Sequence, residues 1–222
     1  MKQAQHVPRL SDLAYEGILQ ALFDARVPMG VRISQADLVA LTKVPVGPVR
    51  DALKVLEADG LVVVHPRSGI EVIQRTTELV RSTTQFRTII ERAAARRFAV
   101  TATEDELAEL RALHQSFIER LKAMDPRTNT YGLMQDLERR FHLALISSLD
   151  NELIDASYRR LQLMGRVIRG RAVFFPQVAL VSVEEHLKVL SACEARDADA
   201  AEKMIVAHLS SAMSRSLGVS SV

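Results

Sequence analysis

The sequence predicts a mainly α-helical protein in two parts. Residues 1–75 should form a small unit of helices closed by a β-hairpin, and residues 76–222 an all-α bundle of six helices. Three observations carry this expectation. From Val27 to Val72 the apolar spacing changes from helical to strand-like within a few residues. Beyond Arg75-Thr76 the strand signals stop and only long helical periodicities remain. The composition, 48% hydrophobic with 5% aromatic and no tryptophan, suits Leu/Ala/Val helix packing better than a β-sandwich.

Taken in order, Ser34 is a good N-cap with Asp37 three residues on, and Leu38, Val39 and Leu41 give the helix that follows an apolar face. Val44-Pro45 stops it, because a residue before proline is pushed out of helical geometry. In the second helix Val49, Leu53 and Leu56, at spacings of four and three, mark the buried stripe, and Gly60 ends it. Leu61 to Val64 and Ile70 to Ile73 are β-branched runs joined by His65-Pro66-Arg67-Ser68-Gly69, a hairpin with a charged tip. Helix, turn, helix and hairpin in this order make a winged helix-turn-helix, with a second helix sized for a DNA major groove.

Several motifs here resemble the GntR-type regulators. They are Pro28-x-Gly30 before Ile33-Ser34, Asp37-Leu38, Pro48-Val49-Arg50-Asp51-Ala52-Leu53, Leu56-Glu57-x-x-Gly60-Leu61, and Pro66-x-x-Gly69 with Val72. The resemblance implies binding to double-stranded DNA. It also exposes a departure, because similar proteins carry a small hydroxyl residue and an arginine at the start of the recognition helix and another arginine early in the preceding helix. Here those places hold Pro45, Val46 and Ala36, while the later arginine is kept as Arg50. Valine cannot make the bidentate guanine contact of arginine and packs at best on a thymine methyl, so the usual operator is not expected. Thr42, Lys43, Gly47, Arg50 and Lys54 remain to approach the groove, with His65 and Arg67 at the wing tip. For each charged residue the competing reading is a solvated surface side chain.

Charge and cysteine content bound the setting. The net charge is +2, and residues 1–75 carry nine Lys/Arg against eight Asp/Glu. Affinity for phosphate must therefore come from the local cluster of Lys43, Arg50 and Lys54, which makes dimeric binding more necessary. No apolar run reaches the ~20 residues that span a bilayer, and MKQAQHVPRL lacks the apolar core of a secretory signal. The one cysteine, Cys193, excludes an internal disulfide and reads as a small core residue. A cytoplasmic protein is expected.

The second part divides into Thr76 to Ala99, a helix capped by Thr103-Glu104-Asp105-Glu106 and running to about Met124, Tyr131 to Ser148, a helix capped by Asn151 and ending near Gly170, Ser182 to Ala195, and a last helix capped by Asp197 and running to about Leu217. Such a bundle can hold its own core. Glu138 and His142 lie one turn apart on one helix face. His186 should open the fifth helix and His208 lies midway along the sixth. The break near Arg196 is roughly equidistant from both, so at ~1.5 Å rise per residue an antiparallel pair would return the two imidazoles to one level. Three histidines and a carboxylate on facing helices suit a first-row divalent cation with room for water or a ligand. A single helical histidine is more often a surface or core residue.

Glu138-x-x-Phe141-His142 with Asn151, Glu185-His186, Asp197-x-x-x-Ala201 and Ala207-His208-Leu209 resemble the ligand-binding FCD domain of the FadR subfamily. Six helices rather than seven resembles its VanR-like branch. The resemblance implies a divalent metal on Glu138, His142, His186 and His208, zinc by default with nickel or manganese as alternatives, although such domains usually carry Asp where this chain has Glu138. Arg87 and Glu91 match the family's Arg-x-x-x-Glu, which implies that Arg87 faces a small organic acid effector while Glu91 orients a neighbour. The other reading of this pair is an ordinary i, i+4 charge pair. Of Tyr158, Arg159, Arg166 and Arg169 in the fourth helix, one or two are expected at the pocket.

The function implied is a ligand-responsive transcriptional regulator, a repressor acting as a homodimer on a near-palindromic operator, with no catalytic residues. Two competitors remain: an architectural DNA-binding dimer with a purely structural metal, and a metal-dependent hydrolase. Against the hydrolase, no spare acid or base stands at motif spacing beside the histidines.

Overall fold

The computed structural model describes residues 8–169 and 173–218. Within them the chain forms two compact units, one running to Thr76 and taking in residues from Gln162 onward, the other running from Thr77 to Leu161 and resuming after residue 172.

The first unit begins with a helix absent from the sequence reading, α1 (Leu10–Phe23), which buries Ala14, Ile18, Leu19, Ala21 and Leu22. After it come β1 (Arg32–Ile33), α2 (Gln35–Thr42), α3 (Val46–Ala58), β2 (Val62–His65) and β3 (Gly69–Val72). At the start of α2 the predicted capping box forms: Asp37 N donates to Ser34 Oγ at 3.1 Å, and Ser34 N to Asp37 Oδ2 at 3.0 Å. Lys43 then turns into the left-handed region (φ 56°) and ends the helix. The stripe Val49, Ala52, Leu53 and Leu56 of α3 is buried, and Gly60 (φ +72°) closes that helix.

The sheet order is β1-β3-β2, antiparallel throughout, with His65 opposite Gly69 and Ile33 opposite Ile70. Two-residue β1 has no period to read, and its pairing explains Gly69. At φ +100°, a Cβ there would lie 2.9 Å from the Ile33 carbonyl oxygen, so only glycine fits. Tyr15 of α1 donates to Asp59 Oδ2 at 3.1 Å, tying the first helix to the end of α3. Val167 and its neighbours Leu163 and Met164 belong to this core as well. The fourth helix of the predicted bundle, α7 (Glu152–Arg169), is thus divided between the units, whereas the sequence assigned all of it to the second part. The expected end near Gly170 lies outside the described residues.

The second unit contains α4 (Thr77–Thr101), α5 (Glu104–Lys122), α6 (Tyr131–Ser147), the first part of α7, α8 (Pro176–Glu194) and α9 (Ala198–Leu217). Side chains of Thr103, Asn151 and Asp197 accept from Glu106 N, Leu153 N and Ala200 N, as their positions predicted. The fifth of these helices, α8, starts at Pro176 rather than Ser182. Proline at the first helical position loses no hydrogen bond, and Phe175 before it is extended. His186 is consequently mid-helix, not at the opening. Helix α9 packs on α4 and α8, α5 on α8, and α6 on α4. Between α8 and α9, Arg196 (φ 56°) reaches back to the carbonyls of Ala99 and Ala102 and caps the end of α4. The core is built from Phe98, Phe141, Ile146, Tyr158, Leu190 and Ile205 with many small alanines, as the low aromatic content predicted.

Candidate metal centre and DNA-reading face

Helices α6, α8 and α9 bring Glu138, His142, His186 and His208 together, with one ligand atom of each within 4.8 Å of all the others. The imidazoles are buried, and His186 Nε2 and His208 Nε2 are 3.2 Å apart. Glu138 Oε2 is 3.3 Å from His142 Nε2, and its Oε1 is 3.6 Å from His186 Nε2. Ser182 Oγ donates to Glu138 Oε1 at 2.8 Å, holding the longer glutamate arm in place. Burial pushes Glu138 up, but His186 and His142 outweigh it and keep the carboxyl well below its ordinary range.

Each imidazole has its other nitrogen engaged. His142 Nδ1 donates to Glu91 Oε2 at 2.6 Å, and His208 Nδ1 to Glu185 Oε2 at 2.9 Å. His186 Nδ1 is 3.1 Å from Nε2 of His114, a fourth buried histidine. This pattern leaves the Nε2 lone pairs pointing at one centre. Such a partner on the distal nitrogen is what fixes tautomer and orientation in metal-binding histidines. Burial takes His186 well below the ordinary imidazole value, against Glu138, and lowers His208 against Glu185. Both shifts favour the unprotonated form, the one that ligates a metal. Burial also depresses His142, yet Glu91 and Glu138 together lift it above its ordinary value. Two unprotonated nitrogens 3.2 Å apart repel unless a cation lies between them and the carboxylate, so the donor set fits a divalent metal.

Glu91 organises the side of the cluster nearest Arg87. Fully buried on α4, it accepts from Arg87 Nε at 2.7 Å, His142 Nδ1, and Tyr158 Oη at 2.9 Å. Burial pushes its carboxyl up, but Arg87 and His142 outweigh this and hold it at about 2. Arg87 Nη2 lies 3.1 Å from His142 Nε2. Arg87 and Glu138, at 22% and 30% side-chain exposure, are the members of the cluster that reach solvent. Of the fourth-helix residues singled out in the sequence, Tyr158 is at the cluster. Arg159 is exposed, and Arg166 lies over the Phe23 ring of the first unit.

Sequence reasoning missed His114, Ser182 and the role of Glu185. Glu185 also accepts from Ser211 and Arg215. Its place beside His186 is a hint, whereas His114 has no local signal.

In the first unit, α3 turns Val46, Gly47, Arg50 and Lys54 outward. Arg50 Nε donates to Gln35 Oε1 at 2.9 Å and Lys54 pairs with Asp51 at 2.9 Å. Lys43 is exposed at the turn, and Arg67 (φ 64°) at the wing tip. His65 pairs with Glu71 at 3.0 Å across the hairpin. Thr42 departs from expectation: its hydroxyl donates to the Leu38 carbonyl at 2.8 Å and its methyl faces Gly17. It closes α2 instead of reaching outward.

Among the described residues no helix is long and apolar enough to cross a membrane. Comparison with known proteins matches residues 10–72 to the gntR family of bacterial regulatory proteins and residues 82–211 to the FCD domain. The chain is 30% identical over 185 residues to the HTH-type transcriptional repressor RspR of Escherichia coli K12, covering 81% of this chain and 77% of that protein. It is 28% identical to the HTH-type transcriptional regulator YdfH of another E. coli strain, covering 93% and 89%. The solved structure of E. coli McbR/YncC shares the fold with a TM-score of 0.76 at 17% identity, covering 96% and 99%. The first two of these relatives are named as transcriptional regulators. The chain is a member of the gntR family, a helix-turn-helix transcriptional regulator with the FCD domain of the FadR subfamily.

Proposed function

We propose that this regulator is a ligand-responsive repressor whose helical unit binds a divalent metal through Glu138, His142, His186 and His208, and a small organic acid against Arg87. One observation carries the reading: four ligand atoms from three helices lie within 4.8 Å of one another, beside the apolar core of the bundle. Zinc is the default, since imidazole and carboxylate donors suit it, with nickel or manganese as alternatives.

Charge supports an anionic ligand. With each ligating Nε2 unprotonated, as metal binding requires, Arg87, Glu91 and Glu138 leave the cluster at minus one. A divalent cation brings it to plus one, which a single carboxylate neutralises. The metal supplies a positive centre for one end of that carboxylate, and the guanidinium of Arg87 offers a second, at the side where the cluster reaches solvent. Arg87 is held ready by Glu91.

DNA binding is assigned to Lys43, Gly47, Arg50 and Lys54 along α3, with His65 and Arg67 at the wing. Two copies are needed to read a near-palindromic operator. Phe86, Ile89 and Val100, exposed on one side of α4, support pairing of helical units into a homodimer. The acid acts through its differential affinity for the DNA-competent arrangement of the dimer. Repression is supported by the name of the RspR relative. The buried, unpaired Cys193 is consistent with a cytoplasmic setting.

The test is a gel-shift titration of zinc-loaded protein on an operator selected from random DNA, with a panel of small carboxylic acids. An acid that raises the protein's melting temperature should also change its DNA affinity. Stabilisation by acids with unchanged DNA affinity would defeat the sensing account. Stabilisation by zinc with no response to any acid would favour the architectural dimer.

A further inference from the structure

Behind His186 stands His114 of α5, which the proposed function does not use. Its ring is buried, with Nδ1 2.6 Å from the Leu110 carbonyl oxygen and Nε2 3.1 Å from His186 Nδ1. A carbonyl only accepts, so His114 Nδ1 carries the proton, and in a neutral ring Nε2 is left as an acceptor. That acceptor is satisfied only if His186 carries its own proton on Nδ1. The lone pair of His186 then lies on Nε2, the atom 3.2 Å from His208 Nε2.

Packing fixes the ring planes as well. Phe141 stacks on His186 with centroids 3.9 Å apart at 12°, and the His114 ring stands edge-on to both, at 5.3 Å from His186 and 5.5 Å from Phe141. The other two imidazoles are backed by carboxylates, Glu91 and Glu185, while His186 is backed by this neutral ring.

We propose that His114 is a positioning residue of the metal centre, a relay from the Leu110 carbonyl that locks His186 in the Nδ1–H tautomer and presents its Nε2 to the cation. The proposal rests on the metal-binding reading. It predicts that His114 never touches the metal but sets the affinity for it.

Zinc and cobalt affinity would be measured by chelator competition on full-length wild type, His114→Phe and His114→Gln, with the melting temperature of each metal-free protein. The Phe variant should bind roughly ten- to a hundredfold more weakly. The Gln variant, whose amide oxygen can accept from His186 Nδ1, should recover most of the loss. Nitrogen-15 imidazole spectra of the metal-free wild type should show His186 protonated on Nδ1, a readout that needs no variant to fold. His186 protonated on Nε2, or wild-type affinity in the Phe variant, would overturn the relay and leave the metal reading intact. A wild type that binds neither ion would remove both.

Discussion

The α3 face and the histidine cluster arrange their polar groups in opposite ways. On α3, Arg50 and Lys54 sit on the solvent side of a helix anchored by Val49, Leu53 and Leu56, and each could be replaced without opening the core. In the bundle, Glu91, His114, His142, His186 and His208 lie inside the core, where an unpartnered polar group is costly and every one has a partner. The difference separates two kinds of function. A surface reader is additive and tolerant, whereas a buried cluster is cooperative and fails as a unit.

Removing Glu91 is the strongest test of that cooperativity. Glu91→Ala strips the shared acceptor from Arg87, His142 and Tyr158, and urea denaturation should show a loss of about 3–5 kcal/mol. A loss under about 1 kcal/mol, the scale of a surface pair, would place Glu91 with the tolerant groups. Next, zinc at a hundredfold over its dissociation constant should stabilise wild type by about 2.7 kcal/mol. His208→Ala should abolish that increment in thermal melts, and a retained zinc-dependent shift would show that the ion binds elsewhere.

On the first unit, effects should be smaller and local. Gly69→Ala must bring its methyl against the Ile33 carbonyl at positive φ, costing about 1–3 kcal/mol. Melting curves should fall accordingly, and a neutral substitution would mean that β1 is not held where it is seen. Arg50→Ala should weaken specific operator binding by about 1–3 kcal/mol if the arginine reads a base, with stability changed by less than about 0.5 kcal/mol. Unaltered operator affinity would remove Arg50 from the reader.

The last effect is confined to alkali, where solvent around the half-buried Tyr15 hydroxyl screens it. Burial, then Asp59, raises the Tyr15 hydroxyl from its ordinary 10 to about 12. The unfolded chain ionises first, so folding stability should fall as pH rises from about 10 to about 12. Tyr15→Phe should flatten that decline in equilibrium unfolding, and an unchanged slope would show that Tyr15 is not its source.

How legible each region was follows from how local its determinants are. Ser34, Thr103, Asn151 and Asp197 act within a turn of themselves, so sequence alone placed their helices. The metal candidates were found because 3.6-residue periodicity and one sharp break, at Arg196, bring His186 and His208 to one level. Helix α1 had a readable signal in Ala14, Ile18 and Leu22, but no capping side chain at Arg9 to announce it. Helix α8 starts before the Ser182 that the sequence suggests because Pro176 serves as a first-turn residue. His114 could not be read at all. Its meaning depends on a partner on another helix, and LRALHQS has the periodicity of any core-facing turn.

Gly47 carries a consequence for how such a regulator changes. A side chain added there would meet nothing within 4 Å, and Val46 beside it is 46% exposed. The tip of the proposed reading helix is therefore uncoupled from the fold beneath it. On the proposed reading of DNA by α3, new residues at these two places would change the target sequence while leaving the packing beneath them untouched. A lineage, or an engineer, could retarget the protein one codon at a time.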